Sequence, residues 1–171
     1  PGFVRVVRRG NYLAVVCERE EQAIRAATAL KATWNRPTTA PFPASESLFD
    51  YIRSATPTFS SPPVVVGTPD AAFQSAEKVV EAQYEVPFQG HAAIGPAHAT
   101  ADPSNDQMTV YSNDMKAYGL RDAVAQFLQM PRDRVRVVWM EGPQGYGRTA
   151  ADDAGVEAAF IAKEIGRPVR M

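Results

Sequence analysis

Seven of the chain's fourteen prolines crowd into residues 35–76: Pro37, Pro41, Pro43, Pro57, Pro62, Pro63 and Pro69. A proline ring fixes its own φ at roughly −65° and removes an N–H donor, so neither a central strand nor a long helix survives such spacing. The stretch is predicted to be mostly an extended surface connector, with only "SESLFDYIRSA" (45–55) able to wind into a helix. Any packed core must then come from the sequence on either side, and the boundary between two units belongs here.

Before the connector, "FVRVV" (3–7) and "YLAVVC" (12–17) are β-rich runs joined by Arg8-Arg9-Gly10-Asn11. Gly and Asn tolerate the positive φ of a tight turn, so a hairpin is predicted. From Glu20, the residues Ala23, Ile24, Ala27, Leu30 and Trp34 recur at helical spacing, which predicts an amphipathic helix ended by Pro37. After the connector, "EKVVEAQYEVPF" alternates Val80, Ala82, Tyr84 and Val86 with polar residues, the period of a half-buried strand. "GPAHATADP" and "QMTVYSN" add two short strands, and "NDMKAYGLRDAVAQFLQMP" sets Leu120, Val124, Phe127 and Leu128 on one helix face before Pro131. "RVRVVWME" is a further strand. A last helix runs from Ala150 to Glu164 with Val156, Phe160 and Ile161 inward and Gly166 at its stop. Strands alternating with helices place the fold in the α/β (α+β) class.

Eighteen basic residues against nineteen acidic ones give a net charge of −1, which supplies no field to gather nucleic acid. The apolar runs are far shorter than the roughly 20 residues needed to cross a bilayer, so no membrane span is predicted. Cys17 is the only cysteine and His91 and His98 the only histidines, so no Cys/His cluster exists for a structural zinc. The two histidines, seven apart in a strand-like region, read as hydrogen-bonded groups rather than metal ligands; no metal ligand and no catalytic residue is assigned.

The most distinctive stretch is Gly142-Pro143-Gln144-Gly145-Tyr146-Gly147-Arg148-Thr149, set between a strand and a helix. It matches the phosphate-loop pattern G-x-x-x-x-G-K-[ST] except at the lysine, where Arg148 stands. Backbone N–H groups at such a junction can hold an anion. Three features oppose a nucleotide triphosphate: Pro143 removes a donor, no apolar strand ends in an Asp to hold magnesium, and Asp152 and Asp153 would repel phosphate at the helix start. A plain glycine turn, with Thr149 and Asp152 forming a capping box, is the bland alternative.

Two longer stretches carry a family likeness. "VEAQYEVPFQGHAAIGPAHATAD" and "VRVVWMEGPQGYGRTAADDAGVEAAFIAKEIGRPVRM" resemble the molybdopterin-binding large subunit of the xanthine dehydrogenase and aldehyde oxidase family, most closely its isoquinoline 1-oxidoreductase and nicotinate dehydrogenase types. "GFVRVVRRGNYLAVVCEREEQAIRAATALKATW" is similar to the end of that family's hammerhead domain. The resemblance implies an internal segment of a longer subunit: residues 1–36 the C-terminal part of a hammerhead-like domain, 37–76 the Pro-rich connector, and 77–171 the first part of the cofactor-binding domain.

It also implies a site. The family's G-G-G-F-G loop approaches the metal end of the pterin cofactor, and Gln144, Gly145, Tyr146 and Gly147, followed by Arg148, occupy the matching positions, with Pro143 and Gln144 in place of two glycines. A glutamine that hydrogen-bonds the cofactor in relatives is matched by Asn113, one methylene shorter; the alternative is that Asn113 caps the helix beginning near Met115. Where relatives carry Glu before a proline, this chain has Gly95. By resemblance, the complete subunit is a molybdenum-dependent oxidoreductase, a hydroxylase acting on an N-heteroaromatic or aldehyde small-molecule substrate with water as oxygen source. Its cofactor would be the molybdenum–pterin group in the cytosine dinucleotide form. Its partners would be an iron–sulfur subunit carrying iron–sulfur clusters and the remainder of its own large subunit. Relatives work in the bacterial periplasm or the cytoplasm. The alternative is a cofactor-free binding or scaffold fragment of the same fold, and 171 residues alone are expected to be inactive.

Overall fold

A computed structural model describes residues 2–35, 37–38, 42–87, 94–142 and 154–171. The chain divides into two units, Pro1–Lys31 with Gln89–Met171, and Ala32–Phe88.

The first unit is built on a mixed four-stranded sheet. Strands β3 (Ala99–Asp102), β4 (Met108–Ser112), β5 (Val135–Trp139) and β6 (Val169–Arg170) lie in the order β5-β4-β3-β6. β4 and β5 run parallel, joined through helix α4 (Ala117–Leu128), while β3 pairs antiparallel with both β4 and β6. The register sets Ala99 opposite Ser112 and Ala101 opposite Val110, so these residues, with Met108, point to one face. That face is buried. The other carries the half-exposed Tyr111 and the exposed Arg136.

Helix α5 (Ala154–Ile165) lies against β3, β4, α4 and β6. Ala158, Ala159 and Ala162 are fully buried, and their small side chains let the helix come close to the sheet. Gly155 sits where α5 meets α4: a Cβ there would lie 2.7 Å from Leu120 Cδ2. Lys163 Nζ donates to the Leu128 carbonyl at 2.7 Å, satisfying one of the acceptors left at the end of α4.

The predicted hairpin forms as β1 (Phe3–Arg9) and β2 (Tyr12–Cys17), turning at Gly10 with φ +58°. It packs on the α5 side of the core, where Val7 is buried and the Tyr12 ring meets Phe160 edge-on at 5.6 Å. The Arg9 guanidinium stacks over Phe127 and Phe160 at 5.3 and 5.5 Å, a favourable cation–π placement. Arg5 donates to the Glu164 carbonyl at the end of α5, where the helix dipole favours a cation. Tyr12 donates its hydroxyl to Glu157 at 3.2 Å; partial burial and then the nearby carboxylate raise its pKa far above the usual tyrosine value.

Three sequence expectations are revised. Helix α1 (Glu20–Ala29) ends well before Pro37, with Leu30 already extended. None of its residues is buried, and Ile24 and Trp34 face solvent, so no packing supports a longer helix. Residues 77–87 form no strand; Val80, Tyr84 and Val86 are exposed, because an alternating pattern makes a strand only when a neighbour accepts its ladder. In the second unit, α2 (Leu48–Ser54) lies where expected, but a further helix, α3 (Pro69–Ser75), begins at a proline suited to the first helical position. No described residue of this unit is buried.

Two outcomes are expected. Gly155→Val should destabilise the fold by about 1–3 kcal/mol through overpacking against Leu120, and Leu120→Ala in the same chain should recover part of that, as read by denaturant unfolding. Because the folded state raises the Tyr12 pKa, its contribution to stability is complete below pH ~10 and is lost as pH rises beyond it; Tyr12→Phe should remove that component of alkaline unfolding.

Candidate functional site

The carboxyl ends of parallel strands β4 and β5 lie side by side, the end of an α/β sheet where ligands characteristically bind. Met140 N–H donates to the Ser112 carbonyl at 2.9 Å, which carries the pairing one residue past β5 and sets Gly142 beside the turn that follows β4. At that turn Ser112, Asn113 and Asp114 are three consecutive buried polar residues, at 3%, 6% and 7% exposure. Burying them is unfavourable unless their polar atoms find partners.

Two of the three do so locally. Ser112 Oγ accepts from the Asp114 N–H at 3.1 Å, and Asp114 Oδ1 accepts from the Lys116 N–H at 2.7 Å, closing the approach to α4. Asn113 differs. Its Oδ1 accepts a long bond, 3.5 Å, from the His98 N–H, while its Nδ2 is buried with no partner among the described residues. The cap position of α4 is Lys116, and no side chain caps it, so capping does not account for Asn113.

Gly142 completes the arrangement. A Cβ there would stand 2.5 Å from Asn113 Cβ, 2.8 Å from Asn113 Nδ2 and 2.8 Å from His98 Cε1. The backbone thus passes over the amide and the imidazole at a distance only glycine permits. Of the residues expected to hold a cofactor, Asn113 is placed at this sheet end, and the chain enters the 143–153 stretch from Gly142. Gln144, Gly145, Tyr146, Gly147 and Arg148 lie outside the described residues. The sequence marks Gly142 as the start of the distinctive loop but not its close approach to Asn113 and His98; the signal available was a glycine directly after a strand that must cross an adjacent strand end.

These features, a buried amide donor without a partner among the described residues and a glycine lying over it, are chemically suited to a group rich in oxygen acceptors, and the pterin cofactor is one. Residues 54–171 match the model of the molybdopterin cofactor-binding domain. The chain belongs to that family. Over its whole length it is 36% identical to a nicotinate dehydrogenase subunit of Pseudomonas putida, covering 14% of that protein. It is 29% identical to the aldehyde oxidoreductase molybdenum-binding subunit PaoC of Escherichia coli K12, over 92% of this chain and 21% of that one. A probable xanthine dehydrogenase subunit of Bacillus subtilis is 29% identical over 61% of the chain, 14% of its own length. The crystal structure of quinoline 2-oxidoreductase from Pseudomonas putida 86 superposes with a TM-score of 0.63 at 18% identity, over 91% of this chain and 21% of that chain, which shows a shared fold. The chain therefore spans about one seventh to one fifth of the length of these relatives. The resemblance read from the sequence and the α/β (α+β) class both hold.

Gly142→Ala should drive the new methyl into Asn113 and His98, destabilising the domain by about 1–3 kcal/mol; a thermal midpoint equal to the wild type would show that the turn relaxes freely.

Proposed function

We propose that the chain is the cofactor-contacting part of a molybdenum hydroxylase large subunit that oxidises an N-heteroaromatic or aldehyde substrate with water as the oxygen source. The observation that carries the proposal is the buried Asn113 Nδ2, without a partner among the described residues, at the carboxyl ends of β4 and β5 and beside the glycine that opens the 143–153 stretch. The family match and the names of the relatives agree with it: a nicotinate dehydrogenase, an aldehyde oxidoreductase and a xanthine dehydrogenase.

On this reading residues 1–36 end a hammerhead-like domain, 37–76 connect, and 77–171 begin the cofactor-binding domain. Asn113 donates to an oxygen of the molybdenum–pterin group, and its Oδ1, engaged by the His98 N–H, fixes which end of the amide faces outward. Gly145 and Gly147 let the backbone approach a flat ligand, Tyr146 supplies the aromatic contact, and Gln144 and Arg148 offer further donors. When bound, the cofactor, in its cytosine dinucleotide form, supplies the two-electron oxidation, and an iron–sulfur subunit receives the electrons. This segment binds and orients; the proton-accepting base belongs to sequence outside it.

The test uses the complete subunit purified with its partner. The wild type should contain molybdenum and pterin. Asn113→Leu removes a hydrogen bond to a charged acceptor, a loss of roughly ten- to a hundredfold in cofactor affinity, and Gly147→Glu should abolish loading. Wild-type metal content and turnover in both variants would overturn the assignment, and a wild type free of metal and pterin would instead identify a scaffold.

A further inference from the structure

His98 is more than the backbone donor that orients Asn113. Its ring and the Asn113 amide approach the same point over Gly142, each 2.8 Å from where a Cβ would stand. Its backbone N–H is spent on Asn113 Oδ1, whereas neither ring nitrogen has a hydrogen-bond partner among the described residues. The ring is half-buried, on the residue that leads into β3, directly across from the β4 end. Two side chains whose donors have no partner among the described residues therefore converge at one sheet end, where the backbone is held close by the absence of a side chain.

We infer that His98 and Asn113 form a two-donor clamp for one oxygen-rich edge of the cofactor, His98 through a ring nitrogen and Asn113 through Nδ2. This rests on the proposed function above and adds a residue and a geometry to it. An imidazole offers at least one N–H and an amide two, so the pair can grip an acceptor oxygen from two sides. The acceptor is an oxygen at the metal end, on the pterin ring or on the phosphate.

Two substitutions separate a clamp from a spacer in the purified complete enzyme. His98→Phe keeps a ring of similar size and removes both nitrogens, whereas His98→Gln keeps a donor. After prolonged dialysis, molybdenum is measured by metal analysis and pterin as its fluorescent oxidation product, with thermal midpoints recorded alongside. His98→Phe is expected to retain roughly tenfold less cofactor than the wild type, and His98→Gln most of it. Adding Asn113→Leu to His98→Phe should lower retention by less than the product of the single effects, because both grip one edge. Loss of molybdenum with pterin kept assigns the acceptor to the metal end; loss of both assigns it to the pterin or phosphate. Wild-type retention in His98→Phe, or equal loss in His98→Phe and His98→Gln, overturns the clamp. A wild-type enzyme without molybdenum or pterin overturns the proposed function instead, so the two failures are distinguishable.

Discussion

Close packing of α5 is the constraint on which the larger unit depends. A helix with bulky residues all round could not lie against β3, β4, α4 and β6 and still leave room for the β1–β2 hairpin. Ala158, Ala159 and Ala162 solve this by being small, and Gly155 solves it at the crossing with Leu120. Phe160 then supplies volume on the side where Tyr12, Phe127 and Arg9 meet. Dispersion contacts of this kind are individually slight and collectively decisive, so the unit tolerates little change in volume along α5.

Seating α5 also fixes the sheet, and the sheet fixes the site. The parallel pairing of β4 with β5 is made through α4, whose buried face, Leu120, Val124 and Leu128, faces the same core as α5. Both helices pack on one face, and the residues that follow β4 and β5, Asn113 and Met140 to Gly142, lie beside each other. Asn113 and Gly142 are 29 residues apart in sequence and become neighbours only through that pairing. The donor and the glycine are thus consequences of topology as much as of residue choice.

Much of this was legible in the sequence because the signals were local. The hairpin showed in two β-rich runs around Gly10, β3 to β5 in short apolar runs bounded by turn residues, and α4 and α5 in the spacing of Leu120, Val124 and Leu128 and of Phe160 and Ile161. What failed was whatever depended on a partner. The alternation of Val80, Tyr84 and Val86 is a real half-buried pattern, but pattern alone cannot supply a ladder. The apolar face of α1 was read as far as Trp34, yet with none of its residues buried, propensity alone does not carry the helix beyond Ala29. At the candidate site, likeness to relatives singled out Asn113, whereas its contacts with His98 and Gly142 were not legible, because they arise from a crossing no periodicity encodes.

The contrast among Ser112, Asn113 and Asp114 bears on why the site is built this way. Ser112 and Asp114 close turns within four residues, so their burial is offset by the chain itself. Among the described residues Asn113 Nδ2 has no partner; a buried donor left so costs about 1–3 kcal/mol, which an apolar residue of similar size would avoid. A ligand oxygen placed at the amide restores the missing bond and so binds the folded form alone. By linkage, such a ligand stabilises the fold in proportion to the logarithm of its concentration over its dissociation constant. On the proposed reading, the cost of an unsatisfied donor and the affinity for an oxygen-rich ligand are one property of the same atom, and the glycine at 142 leaves space beside it that a Cβ would fill.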